Sequence, residues 1–292
     1  MLITGAGGFV AGSVVAQAGP EFEVHGVSRK PPPAEKPGAH WHVLDPMDDD
    51  ALAAIVRAVE PRVIVHAGAN ASIDYCKAHP DKARQVNAAW TQRMCAHAGA
   101  VGAKLVYCST DNVFDGTRGL YAEDDPVNPV NTYGATKVLG EQAVRRCEVP
   151  WVIARISIVM GLPMLGDGNS FVSRLLPAFE AEGPVGVPNN EIRSPVDVVT
   201  LGRALLELAG NDWTGVIHLA GNDVLDRCEL VRRVAACLGH DPARVEPNDP
   251  STIPGRDDRP LDASLSNALA RQVLKTPMLG LDAALDLVFA GR

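Results

Sequence analysis

The run Thr4-Gly5-Ala6-Gly7-Gly8-Phe9-Val10-Ala11-Gly12 stands between a short apolar stretch, Leu2–Thr4, and a helix-competent segment at 8–18. A strand, a glycine turn and a helix in that order suit the first βα unit of a parallel sheet. Such a turn needs residues without a Cβ where a phosphate approaches, and the following helix start offers unpaired N–H groups to an anion. The spacing Gly5-x-x-Gly8-x-x-Ala11 puts a small residue at the helix–strand contact. Gly5, Gly7, Gly8, Phe9 and Val10 are therefore the candidate pyrophosphate cradle of a dinucleotide. A glycine-rich turn without a ligand is the plain alternative.

The chain continues in the same rhythm. Strands are read at 22–28, 41–44, Val63–His66, 104–108 and Trp151–Ile156, and helices at 51–59, 80–98 and 132–147. Repeated βα units predict an α/β, Rossmann-like, doubly wound parallel sheet with helices on both faces and right-handed crossovers. The second half is less regular. Helices are expected at 171–181, 196–209 and 227–238, a strand at 216–219, and loops at 182–190 and 249–260. This predicts a nucleotide-binding body, residues 1–156 plus 193–221, with a smaller C-terminal substrate-binding lobe from 157–192 plus 222–292.

Composition removes several function classes. A formal net charge of -8 without a Lys/Arg run lacks the footprint of a nucleic-acid binder. No apolar run reaches the roughly 18 residues of a membrane span, and Met1-Leu2-Ile3-Thr4 does not read as a secretory leader. The 6 cysteines contain no C-x-x-C pair and read as reduced thiols of a cytoplasmic protein. His40-Trp41-His42 is the closest histidine pair, with no cysteine or acid set around it in sequence, so no metal site is expected.

The end of the second strand bears on which nucleotide is bound. An acid there would serve the ribose of NAD, but the chain reads Gly26-Val27-Ser28-Arg29-Lys30. Arg29 and Lys30 can hold a 2′-phosphate, which favours NADP(H) over NAD(H); a solvated basic pair is the alternative. Asp45, after the third strand, is a candidate contact to the adenine. Further along, Tyr133 and Lys137 stand four apart at the start of a predicted helix, on one face. A nearby ammonium favours the phenolate, which predicts a tyrosine pKa lowered towards neutrality and a proton donor to a carbonyl oxygen. Ser109-Thr110-Asp111 ends a buried strand, where open α/β sheets bind ligands, and Thr110 can bond the same substrate oxygen as Tyr133. Caps and Asx-turns are the bland roles for these three.

Together these stretches resemble the extended short-chain dehydrogenase/reductases, and more closely the dTDP-4-dehydrorhamnose reductase family. The matching residues are 4–12, 63–69, Asn87, Ser109-Thr110-Asp111-Asn112-Val113-Phe114-Asp115-Gly116, 133–137, 155–161, 193–198 and Arg259-Pro260-Leu261-Asp262, nearly the whole chain. The resemblance implies hydride transfer from a nicotinamide to the C4 ketone of a nucleotide-linked sugar. Tyr133 would be the general acid, Lys137 its tuner and ribose ligand, and Thr110 the group that orients the carbonyl. His66-Ala67-Gly68-Ala69, Asn87, Ser109 and Ile156 would wall the cofactor pocket. Asp111, Asn112, Ile158, Asn169, Phe171 and Arg193 would face the sugar nucleotide, with Arg256 and Arg259 as diphosphate ligands. The resemblance also admits a homodimer. Asn112 stands where the family usually has Tyr, and Ile158 where it often has Trp, which puts the identity of the sugar in question. An epimerase or 4,6-dehydratase stays open, although dehydratases carry Asp-Glu where this chain has Asp111-Asn112. A non-catalytic NADP-binding protein, similar to the β subunit of methionine adenosyltransferase, stays open as well.

Overall fold

Val63-Ile64-Val65 and Leu105-Val106-Tyr107 are buried to the last residue, as strands covered on both faces must be. They form the middle of a parallel sheet in a computed structural model that describes residues 1–31, 36–165, 170–249 and 258–290. Its strands are β1 (Leu2–Thr4), β2 (Val24–Ser28), β3 (Ala39–Val43), β4 (Val63–His66), β5 (Lys104–Thr110), β6 (Trp151–Ile156) and a seventh, Gly215–Leu219. The order is seventh strand, β6, β5, β4, β1, β2, β3, and every pairing is parallel. The chain runs outward from β1 to β3, then returns to β4 on the other side of β1. The crevice at the carboxyl ends of β1 and β4 is thus the topological switch point, where such sheets take their ligands.

The helices are α1 (Phe9–Gln17), α2 (Asp49–Val59), α3 (Ile73–Ala78), α4 (Pro80–Arg84), α5 (Trp90–Val101), α6 (Thr132–Val144), α7 (Phe171–Glu180), α8 (Val198–Gly210), α9 (Arg227–Cys237), α10 (Ala268–Val273) and α11 (Leu281–Phe289). Local chemistry sets their limits. Asp48 caps α2 by accepting from the Ala51 N–H, and Glu60, left-handed at φ 43°, closes it before Pro61. Gly102 at φ 67° ends α5. Helices α1, α8 and α10 cover one sheet face through Val14, Val15, Leu201, Leu205 and Ala270. Helices α2 and α5 cover the other, where Leu52, Val56 and Met94 meet Leu2, Ile64, Leu105 and Ile153. Each such fully buried aliphatic side chain stabilises the fold by about 1.5–3 kcal/mol.

Beyond the sheet, α7, α9 and α11 enclose a separate core of Phe171, Val172, Phe179, Val187, Val231 and Leu285. Within it, Val185–Pro188 pairs in parallel with Val245–Asn248. This corrects the loop expected at 182–190: Val185 and Val187 face the core, and their strand partner lies far along the chain. Val196–Asp197 is a strand rather than a helix start, because Asp197 is the cap of α8 and accepts from the Thr200 N–H at 2.7 Å. The helix expected over 80–98 contains a π-turn at Gln85–Ala89, and α3, α10 and α11 were not foreseen. Ala270, Leu274 and Met278 pack under the main sheet, although they lie in the stretch expected to belong to the lobe. No helix among the described residues is long and apolar enough to cross a membrane.

Candidate active site

At the switch point, backbone meets backbone. Gly5 has φ +69°, and a Cβ there would lie 2.8 Å from the Gly68 Cα. Gly68 has no room either, since its Cβ would meet the Trp90 ring at 2.2 Å. The two loops therefore close on one another only as glycines. Gly8 caps helix α1 without a side-chain hydrogen bond, so the N–H groups of its first turn have no side-chain acceptor. A polar chain runs beneath. The Gly68 N–H donates to Thr4 Oγ1 at 3.3 Å, and Thr4 lies 2.6 Å from His66 Nδ1. His66 Nε2 lies 3.1 Å from Thr91 Oγ1, whose proton goes to the Asn87 carbonyl at 2.8 Å. Nε2 must then carry the imidazole proton while Nδ1 accepts from Thr4. Burial, aided by the charge of Lys137, pushes the His66 pKa down to about 3, so the ring is neutral.

Asn87, in the π-turn, donates to the Asn70 carbonyl and to Thr136 Oγ1, each at 3.0 Å, and accepts the Asn70 N–H at 2.7 Å. It thereby ties the loop after β4, with Ala67 and Gly68, to α6. Ala69 is exposed. Ser28 ends β2 buried and donates to the Lys30 carbonyl, while Arg29 and Lys30 are exposed. Asp45 is exposed and accepts the Met47 N–H at 2.9 Å. Ile156 pairs with Thr110 across β5 and β6, and is buried.

The end of β5 is polar, and almost every group in it is engaged. Thr110 donates to Asp111 Oδ1 at 3.0 Å and accepts the Asn112 N–H at 3.2 Å. The Asn112 amide donates to the same carboxyl oxygen at 2.8 Å. Asp111 Oδ2 lies 3.4 Å from Arg193 Nε. Burial pushes the Asp111 carboxyl up, against the pull of Arg193. Tyr133 is buried where α6 abuts the end of β5, and Thr110 is among the groups acting on its phenol. The lowered tyrosine pKa does not hold here: burial pushes the phenol above its usual range, and Thr110 only partly offsets this. The reason is where the lysine points. Lys137 Nζ lies 4.0 Å over the Tyr107 ring, and burial lowers its pKa to about 8.

Helix α6 can approach this closely because of two glycines. A Cβ at Gly134 would stand 2.0 Å from the Asn112 carbonyl oxygen, and one at Gly140 would stand 2.1 Å from the Tyr107 hydroxyl. Asn131 caps α6 by accepting the Gly134 N–H at 2.8 Å, and its amide donates to Asn112 Oδ1 at 3.1 Å. Sequence reasoning missed Tyr107, Asn131 and Glu141. Glu141 accepts Ser109 Oγ at 2.6 Å and holds Arg155 through both oxygens, at 3.0 and 2.9 Å. Ser109 is therefore committed to this buried pair. The available signal was the spacing: Glu141 stands one turn beyond Lys137 on the same face.

The expected substrate-side residues scatter more. Arg193 is buried and donates to the carbonyls of Ile192, Leu261 and Pro260 at 2.7, 3.1 and 2.9 Å. With Asp111 on its Nε, it clasps the 260–261 segment to the turn that follows β5. Arg259 bonds Asp74 at 2.6 Å and Asp258 at 2.7 Å. Phe171 is a buried part of the lobe core with the Arg227 guanidinium 5.2 Å over its ring. Ile158 is half-buried. Asn169 and Arg256 lie outside the described residues. At the far edge of the sheet, His40 has no acid near it in sequence, but parallel pairing brings Glu23 and His25 to it.

A doubly wound sheet with a glycine-lined switch point and a buried Thr110, Tyr133 and Lys137 set defines an NAD(P)-dependent oxidoreductase of the extended short-chain dehydrogenase/reductase class. Comparison with known proteins narrows the class. The family model described as RmlD substrate binding domain matches residues 1–290. The chain belongs to this family, that of the dTDP-4-dehydrorhamnose reductases. The dTDP-4-dehydrorhamnose reductase of Mycolicibacterium smegmatis is 31% identical over 237 residues, 80% of this chain and 71% of the relative. Methionine adenosyltransferase 2 subunit beta of Bos taurus is 30% identical over 224 residues, 75% of this chain and 67% of the relative. Among solved structures, a hypothetical dTDP-4-dehydrorhamnose reductase from Sulfolobus tokodaii superposes with a TM-score of 0.83 at 30% identity, covering 96% of this chain and 97% of the other. The dTDP-4-dehydrorhamnose reductase of Bacillus anthracis, solved in complex with NADP, shares the fold with a TM-score of 0.84 at 24% identity, covering 99% and 97%.

Proposed function

We propose that the protein is an NADPH-dependent reductase of a nucleotide-linked 4-keto-6-deoxy sugar, with Tyr133 as the general acid at the C4 oxygen. The supporting observation is the close approach of α6, carrying buried Tyr133 and Lys137, to buried Thr110 at the carboxyl end of β5, made possible by Gly134 against the Asn112 carbonyl. The crevice suits a dinucleotide: Gly5 and Gly68 leave no Cβ in it, α1 opens without a side-chain cap, and β2 ends in Ser28, Arg29 and Lys30 with no acid. Bound NADPH would supply the hydride that reduces the ketone. The cradle residues Gly5, Gly7, Gly8, Phe9 and Val10 would bind the pyrophosphate, and Arg29 and Lys30 the 2′-phosphate. Ala67, Gly68, Ala69, Asn87, Ser109 and Ile156 would line the nicotinamide half, and Asp45 the adenine side.

In the free protein Thr110 donates to Asp111; at the reacting centre its hydroxyl would turn to donate to the substrate oxygen. A carbonyl oxygen seated between the two hydroxyls would take a hydrogen bond from each, and then the phenol's proton as negative charge develops. The phenolate left behind needs a cation. Lys137, with a pKa of about 8, is protonated at neutral pH and would serve once it turns from Tyr107 towards the phenol and the nicotinamide ribose. The high pKa of Tyr133 in the free protein keeps its proton in place until that charge arrives. Asp111, Asn112, Ile158, Phe171, Arg193 and Arg259 would shape the sugar-nucleotide side, Arg193 by holding the 260–261 segment in place. The reading includes the division into a body, 1–156 plus 193–221, and a lobe, 157–192 plus 222–292. It extends to a cytoplasmic homodimer.

The test is NADPH oxidation by the purified protein with dTDP-4-keto-6-deoxy sugars, alongside Tyr133→Phe. Sugar-dependent oxidation that vanishes in the variant is the expected result. Tight NADPH binding with no turnover on any 4-keto sugar nucleotide would overturn it and favour a binding subunit, the role suggested by the methionine adenosyltransferase relative.

A further inference from the structure

Strand β3 closes the sheet, and its pairing with β2 assembles side chains that the sequence keeps apart. His25 stands opposite His40 in the register of the two strands. Glu23 is two residues before His25, and His42 two after His40, so all four side chains project from the same face. Glu23 Oε1 lies 3.3 Å from His25 Nε2 and 3.8 Å from His40 Nε2. One ligand atom from each of Glu23, His25 and His40 lies within 4.8 Å of the others. Ligand atoms about 2.0–2.1 Å from a tetrahedral zinc stand about 3.3 Å apart, so Glu23 and His25 already stand at ligand spacing and His40 is the residue that has to move in. It is free to do so, with a side chain 58% exposed, as is Glu23 at 74%.

The remaining imidazole supplies what a bare surface cluster lacks. A ligating histidine is held when its other ring nitrogen donates to a fixed acceptor. Here His25 Nδ1 lies 3.1 Å from His42 Nε2. With its proton on Nδ1 and given to His42, His25 presents the lone pair of Nε2 towards Glu23 and His40. The ring is also stacked on His40, 4.7 Å between centroids.

We propose that Glu23, His25 and His40 form a binding site for one divalent transition-metal ion of the zinc class, with His42 as a positioning residue, and that the ion cross-links β2 to the edge strand. Two imidazoles and a carboxylate leave a fourth position for water. This donor set favours zinc, nickel or copper over magnesium or calcium, which take oxygen ligands. The site lies near the amino ends of β2 and β3, away from the catalytic end of the sheet.

The experiment uses the untagged full chain, stripped with chelator and titrated with zinc against a chromophoric indicator. Thermal unfolding is followed with and without zinc. The expected result is one zinc per chain, unaffected by a large excess of magnesium, with a midpoint that rises on zinc addition. Affinity should fall at least tenfold in Glu23→Gln and in His40→Ala, and a few-fold in His42→Ala. His79→Ala, at an exposed histidine elsewhere, should bind as the parent does. The exposure of Glu23 and His40 lets their variants fold, which circular dichroism confirms independently of metal. Absence of saturable one-to-one binding, or equal affinity in the parent and His40→Ala, overturns the proposal.

Discussion

The two sides of the sheet handle polar groups in opposite ways. At the carboxyl ends of β4, β5 and β6, the groups His66, Ser109, Thr110, Asp111, Lys137, Glu141 and Arg155 are buried. Most of them hold one another: Ser109 and Arg155 on Glu141, Thr110 on Asp111, His66 between two threonines. At the outer strands, Arg29, Lys30, Glu23 and Asp45 stand in solvent. Placing a proton donor accurately requires a set of groups that cannot reorient without leaving a buried partner unsatisfied. Recognition of a nucleotide's adenosine end needs only charge within reach. The inner side should therefore be brittle and specific, and the outer side tolerant and open to change.

The largest effect should come from the inner side. Tyr133→Phe removes the proton donor and is expected to lower kcat roughly 10²–10⁴-fold with little change in the NADPH dissociation constant, read by steady-state kinetics and cofactor fluorescence. Glu141→Leu leaves the Arg155 guanidinium buried without its carboxylate. It should cost about 3–5 kcal/mol in urea unfolding, and a loss below 1 kcal/mol would remove the brittleness argument. Acid sensitivity tests the same region. The pKa values of His66 and His218 are both pushed down to about 3, mainly by burial. The unfolded chain therefore takes up protons from pH 6.5 downwards that the native state refuses. Stability is complete above that pH and falls as pH drops towards 3, by about 1.4 kcal/mol per pH unit for each histidine. His66→Gln should flatten that slope between pH 6 and 4 by one histidine's share. On the outer side, Arg29→Ser with Lys30→Ser should raise the KM for NADPH about tenfold and leave that for NADH unchanged. Stability should stay within about 0.5 kcal/mol; a larger loss would mean the outer side is not tolerant.

Much of the inner side could be read from sequence because its signals are local. β4 and β6 fall on the residues expected, since both are too short for a helix, rich in Val and Ile, and preceded by a proline. Thr110 and Tyr133 are both buried where α6 abuts the end of β5, because strand end and helix start are adjacent in this topology. What escaped depended on distant partners. Val185–Pro188 carries Gly186 and Pro188 and reads as a loop until Val245–Asn248 pairs with it. The π-turn at Gln85–Ala89 breaks no hydrophobic period. The direction of Lys137 was missed because the four-residue spacing says that two side chains share a face, not which of them an aromatic ring such as Tyr107 captures. The Glu23, His25 and His40 cluster was hidden for a similar reason: its members meet only through strand pairing.

The Arg193 clasp limits how this protein can be recombined with its relatives. The guanidinium grips Pro260, which lies 67 residues further along the chain, while reaching back to Asp111 just after β5. Segments around 111, 193 and 260 must therefore be inherited as a set. A chimera that takes a foreign C-terminal third and keeps its own Arg193 would align well in sequence, yet offer that arginine carbonyls in the wrong places. New substrate ranges in this lineage should arise more readily by point changes at positions such as Asn112 and Ile158 than by exchange of whole segments.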